Sequence, residues 1–162
     1  MAFTVDGKIW LAAMRSDLSL PDRLILREFQ FPHDFPQVIN LWMNAGPGIH
    51  LRHSDEKDEI AKKIQRDPDL FLVAEINSQI IGTVLGGFDG RRGMVYHLAV
   101  ASHYRKRGIG AALMNELEGR MRQKGCIRSY LLVTRDNLDA IRFYENTGWE
   151  QMDLLTYGKN LD

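Results

Sequence analysis

Val100-Ala101-Ser102-His103-Tyr104-Arg105-Lys106-Arg107-Gly108-Ile109-Gly110-Ala111 is the densest signal in the chain. Met94 to Val100 before it reads as a strand, and about Gly108 to Lys124 after it as a long helix ended by Gly125, where a left-handed cap is favoured. The stretch is therefore a strand-to-helix loop with three consecutive cations and two glycines at the helix start. Free backbone N–H groups and the positive end of the helix dipole converge there, and glycine lets an anion approach the backbone closely. Its expected occupant is a phosphate. A P-loop would need Lys-Ser/Thr after its second glycine, where Ala111-Ala112-Leu113 stands. A dinucleotide fingerprint would need a third small residue at Leu113 and an acid about 20 positions on, at Cys126-Ile127-Arg128-Ser129. Both are excluded.

Working outward, Leu24 to Phe29 reads as a strand, and Asp34 can cap a helix through about Asn44 with Phe35, Val38, Leu41 and Trp42 on one face. Ser54 can cap a second, charged helix to about Arg66. Leu70–Ile76 and Ile80–Phe88, separated by Asn77-Ser78-Gln79, predict a hairpin, and Asp89-Gly90 turns the chain into the strand Met94–Val100. These three strands are expected side by side in one antiparallel sheet. Beyond Gly125 the pattern gives a strand from Ile127 to Thr134, a helix from about Leu138 to Asn146 closed by Gly148, and a last strand near Trp149 to Tyr157. The fold class is α/β (α+β), a mixed sheet with helices on its faces. With no internal repeat and no low-complexity linker, the expected organisation is an N-terminal extension, 1–22, and one domain, 23–162.

Composition bounds the function. The 162 residues are 44% hydrophobic and 26% charged, which suits one ordinary globular core and excludes disordered and fibrous classes. No apolar run is long enough to span a bilayer, and Lys8 and Arg15 bracket only six residues, too few for a secretory leader. The single cysteine, Cys126, excludes an internal disulfide and a thiolate metal cluster, which fits a reducing cytoplasm. The 21 basic and 21 acidic residues cancel, arguing against nucleic acid or an anionic membrane as a whole-surface partner. They are unevenly placed: Arg91 to Arg128 holds nine basic residues against two acidic ones, +7, leaving −7 for the rest.

Arg105-x-x-Gly108-x-Gly110 and, downstream, Asn137-Leu138-Asp139-Ala140-Ile141-Arg142-Phe143-Tyr144-Glu145-Asn146-Thr147-Gly148-Trp149 together carry a resemblance. In order and spacing they are similar to the two signatures of the GNAT superfamily of N-acetyltransferases, [RQ]-x-x-G-x-[GA] and N-x-x-A-x-x-[FL]-Y-x-x-x-G-[FW]. The resemblance covers about Leu24 to Tyr157. Leu98-Ala99-Val100 and Phe143-Tyr144-Glu145 look most like the bacterial ribosomal-protein alanine N-acetyltransferase branch. It implies a mostly antiparallel sheet with a splayed central strand pair, helices on both faces, and acetyl-CoA as co-substrate without a metal. By the same resemblance the Leu98, Ala99 and Val100 backbone takes the pantetheine arm. Arg105, Lys106, Arg107, Gly108, Ile109, Gly110 and Ala111 take the pyrophosphate, Asn137 lies near the cofactor, and Tyr144 is the general acid toward the coenzyme sulfur.

An amine acceptor must also lose a proton. Family members with a base on the strand before Leu98 carry it where Met94 and Tyr96 stand, and the alanine-acetylating branch has Glu where Leu132 stands. The base is therefore left among Glu75, Tyr96 and a water relay. Alternation puts Tyr96 on the face of Leu98 and His97 on the opposite one, as a core or sheet-back histidine. The irregular segment Asn44–His53 is expected to face the acceptor. The expected activity is direct acetyl transfer to a primary amine, of a small molecule or of a protein N-terminus, by a monomer or homodimer; the alternative is a catalytically weak acyl-CoA-binding regulatory module.

Overall fold

The computed structural model describes residues 23–46 and 48–161, so the predicted 1–22 extension lies outside the described residues. The chain divides into two compact units, with the boundary between Leu132 and Val133. The first holds β1 (Ile25–Glu28), α1 (Phe35–Met43), α2 (Lys57–Arg66), β2 (Phe71–Ile76), β3 (Gln79–Phe88), β4 (Gly93–Val100), α3 (Ile109–Gln123) and β5 (Ser129–Leu131). The second holds α4 (Leu138–Asn146).

The sheet order is β1-β2-β3-β4-β5, antiparallel throughout except for the parallel β4–β5 pair. The β2–β3 connection is tighter than expected. Asn77 and Ser78 both have positive φ, 50° and 63°, the two-residue turn that matches strand twist, and Gln79 already pairs with Ile76.

Helices cover both faces of the sheet. On one, Val38, Leu41 and Trp42 of α1 and Ile60 of α2 pack on Phe71, Val73, Leu85 and Ala99. The buried Trp42 indole N–H donates to Thr83 Oγ1 at 2.8 Å, so the core's polar atoms satisfy each other. On the other, α3 presents Ile109, Leu113, Leu117 and Met121 at helical spacing. It seats so closely that a Cβ on Gly86 would come within 2.7 Å of Leu117 and Met121, and one on Gly82 within 3.1 Å of Leu113. The small residues of β3 are thus what admit this helix.

Three local expectations change. Asp34 is the N-cap residue of α1, but its side chain turns to Arg27, the Gln30 N–H and His33 and does not cap. Ser54 lies within a 3-10 turn, His53–Asp55, and α2 begins after Glu56; Asp55 closes the turn by accepting the Arg52 N–H at 2.9 Å. No strand forms at Trp149–Tyr157 among the described residues; Leu154, Leu155 and Tyr157 are exposed and the segment has no ladder partner.

In the second unit α4 carries a complete set of end signals. Asn137 Oδ1 accepts the Ala140 N–H at 3.2 Å. Gly148, at φ 87°, donates to Glu145 O while Trp149 N–H donates to Tyr144 O, a Schellman closure. The Trp149 ring meets Tyr144 at 6.0 Å between centroids, the apolar contact that accompanies this motif.

Candidate active site

β4 and β5 pair only over Gly93–Val95 and Ser129–Leu131. β4 then runs on to Val100 while β5 ends, so half of β4 has a ladder on its β3 side alone. This opening is also why the strand expected from Ile127 to Thr134 is only three residues long. Alternation settles which groups face the gap. Ala101 N–H donates to Ile81 O on β3, so Ala99 also turns its backbone toward β3, and Leu98 and Val100 turn theirs to the open edge. Of the predicted Leu98-Ala99-Val100 run, the first and last therefore offer backbone groups, while Ala99 is buried in the core.

The Val100–Ala111 loop begins where this edge ends. A 3-10 turn, Ser102–Tyr104, leads to Arg105, whose Nε donates to Val100 O at 2.9 Å and whose Nη2 donates to Ala45 O at 2.7 Å. One guanidinium thus ties the strand end, the cradle and the segment after α1 together. Lys106 and Gly108 follow with φ of 59° and 81°, two left-handed positions in three residues. A lysine there is uncommon and costs about 1 kcal/mol, and the curvature gathers the backbone N–H groups into a concave nest. No side chain caps α3. The N–H groups of Ile109, Gly110 and Ala111 have no intrahelical acceptor, because the first such bond is Ala112 N–H to Gly108 O. A Cβ on Gly108 would meet nothing within 4 Å, so the space above the nest is open. Arg107 lies over the Tyr104 ring at 5.6 Å, and the Ile109 side chain is buried, leaving only its N–H on offer.

The register of β3 and β4 overturns one expectation. Leu85 pairs with His97 but Gly86 pairs with Val95, so Tyr96 is an extra residue in a β-bulge. Alternation breaks there, and Tyr96 and His97 share the α1–α2 face: Tyr96 lies against Gly87 beside Lys63 of α2, and His97 meets Asp55 and the Trp42 ring. Asp55 Oδ1 stands 2.8 Å from His97 Nε2. Since a carboxylate only accepts, Nε2 carries a proton in this contact, and in the neutral ring Nδ1 would hold the lone pair. A carboxylate-backed imidazole can take a proton; of the two places expected for His97, core or sheet back, its contact with the Trp42 ring is the core one. Burial raises the Tyr96 phenol above its ordinary range, which leaves it neutral and a poor base near neutrality. Glu75 is occupied: Arg27 Nε donates to it at 2.8 Å, and the same guanidinium holds Asp34.

Asn137 and Tyr144 belong to the second unit. Asn137 serves as the α4 cap. Tyr144, between Phe143 and Trp149, is partly buried, and burial pushes its phenol up to about 12. It stays protonated across the working range, as a proton donor must. Among the described residues no group of His, Cys, Asp and Glu is arranged to hold a metal, and no helix is long and apolar enough to cross a membrane.

A protein-family model described as the acetyltransferase (GNAT) family matches residues 35–149. An acetyltransferase of Pectobacterium atrosepticum is 42% identical over 128 residues, covering 79% of this chain and 89% of that protein. Among solved structures, the PaiA N-acetyltransferase of Thermoplasma acidophilum in complex with coenzyme A superposes with a TM-score of 0.70 at 23% identity, covering 81% of this chain and 92% of its own. The aminoglycoside N-acetyltransferase AAC(6')-Iy with coenzyme A superposes with 0.68 at 14% identity, covering 90% and 99%. At these identities the two structures speak for the fold.

Proposed function

The chain belongs to the acetyltransferase (GNAT) family, and from that premise we propose that it transfers the acetyl group of acetyl-CoA directly to a primary amine. The observation that carries this reading is the continuity of Leu98–Ala111, an open strand edge running straight into a nest of unpartnered N–H groups at the start of α3. An extended pantetheine arm is an amide chain that can add to that edge as a strand would, through Leu98 and the Val100 N–H. The nest, with Arg105, Lys106 and Arg107 around it, suits a pyrophosphate. The AAC(6')-Iy structure and the PaiA enzyme, both solved with coenzyme A, support a coenzyme in this fold.

In the transfer, the acceptor nitrogen attacks the thioester carbonyl, an N–C bond forms and the C–S bond breaks. Backbone N–H near Val100 polarises the carbonyl oxygen. The departing sulfur takes its proton from Tyr144, and the proton lost by the amine passes through water to His97, where Asp55 stabilises the imidazolium. Asn44–His53 borders the acceptor side. Turnover of acetyl-CoA with a panel of primary amines, followed by release of coenzyme thiol and by the mass of the acetylated amine, tests the reading. Thiol release that depends on the amine is expected; coenzyme binding without transfer to any amine would instead favour a binding module.

A further inference from the structure

A cavity of about 360 Å³ opens on the α2 face of the sheet, between α2, the β3–β4 turn and the paired ends of β4 and β5. That volume is at the small end for ligand sites. Its position is set by the strand register. Met94 and Tyr130, which both line it, are Cα partners, and the next pair, Val95 and Leu131, is the last before the strands part. Tyr96, the bulge residue, forms another wall. The cavity therefore adjoins the closed end of the gap along which the open edge of β4 runs. Gly87 keeps it open, since a Cβ there would come within 3.1 Å of Tyr96 and 3.2 Å of Lys63 Nζ.

Its charges do not cancel. Lys63, Arg66 and Arg92 face Asp67 and Asp89, three cations against two carboxylates. Lys63 of α2 is bound to Asp67, the residue that follows the helix. Asp89 accepts the N–H groups of Arg91 and Arg92 at 2.7 and 2.6 Å, which fixes the turn that carries Arg92. Arg66 is spread between a 4.0 Å approach to Asp67 and a long contact with Phe88 O. Arg92 has no carboxylate partner among the described residues; its guanidinium lies 5.3 Å from the Tyr130 ring centroid and donates to the Tyr130 hydroxyl. A planar guanidinium held by a neutral phenol keeps its charge and part of its donor fork for a planar anion.

We propose that this cavity holds the carboxylate of the acceptor on Arg92, with Arg66 beside it, so that the substrate is a small amine that also carries a carboxylate. This rests on the reading of the β4 gap as the acetyl-donor site: a carboxylate in the cavity leaves the amine of the same molecule directed at the end of that gap. The carboxylate itself is a spectator, and the bonds made and broken are those of the direct transfer.

The test uses the full chain and the standard amino acids, each beside the amine it gives on decarboxylation, with phosphoethanolamine beside ethanolamine as the phosphate arm. Calorimetry measures acceptor binding apart from turnover. At least one amino acid is expected to bind and to be acetylated at least about tenfold more efficiently than its decarboxylated partner. Arg92→Met should raise the KM of that amino acid about tenfold, leaving its decarboxylated partner and the acetyl-CoA Kd unchanged. Equal use of both members, preference for the decarboxylated amine, preference for phosphoethanolamine over every amino acid, or an equal effect of Arg92→Met on both members would overturn the proposal. Failure of the donor-site reading looks different: amino acids would bind, sensitive to Arg92→Met, while acetyl-CoA would not.

Discussion

Tyr144, the proposed proton donor, sits half inside an aromatic cluster, and that burial raises its phenol to about 12. A raised pKa retains the proton to higher pH, so the rate should show no alkaline limb from this group below about pH 11. Tyr144→Phe should lower kcat about a hundredfold with the acetyl-CoA Kd unchanged; an unchanged kcat in the folded variant would contradict the role, and a wild-type limb near pH 10 that vanishes in the variant would contradict the raised pKa. His97→Gln should likewise lower kcat, about tenfold or more, without changing coenzyme binding, and full activity would return the proton to a purely aqueous route. At Asp34, burial works to raise the carboxyl, but Arg27, the Gln30 N–H and His33 together hold it below the ordinary range. Its stabilisation is therefore complete above the unfolded value near 4 and lost as pH falls through the lower folded one. Arg27→Met, which strands a fully buried charge, should cost about 3 kcal/mol in denaturant melts at pH 7 and reduce the acid sensitivity of the melt.

At the scale of elements, β3 and α3 fit through glycine. Gly86→Ala places a methyl 2.7 Å from Leu117 and Met121, an overpacking that should cost about 1–3 kcal/mol; an unchanged midpoint in urea would mean that α3 is not seated as described. This contact was not legible in the sequence, because Gly86-Gly87 within an apolar run signals a close approach without naming the partner. The element ends were legible where side chains or glycines enforce them, as at Asn137, Gly125 and Gly148. They were misjudged where tertiary partners competed: Asp34 was drawn from its cap by Arg27, and the Tyr96 bulge broke the two-residue period on which the orientation of His97 depended.

For the whole molecule, the basic third from Arg91 to Arg128 resolves into separate parts. Arg120 pairs with Glu116 and Glu28, Arg122 with Glu118, and Lys124 with Asp69, so the α3 cations are spent on carboxylates. Arg105, Lys106 and Arg107 remain at the nest beyond Val100, and Arg92 at the cavity near the other end of β4. The charge count in the sequence showed an excess without revealing that division, since Glu28 and Asp69 come from outside the basic segment. If the nest at Gly108 receives the coenzyme pyrophosphate, titration calorimetry of acetyl-CoA will separate wild type from Gly108→Asp. Aspartate tolerates the left-handed backbone, suits a helix N-cap, and has open space for its side chain, so the variant should fold. Its carboxylate would stand where the phosphates belong. Saturable one-to-one binding in wild type and a loss of about thirtyfold or more in a folded Gly108→Asp variant are expected; affinity retained within about twofold would mean that the pyrophosphate does not lie on this nest.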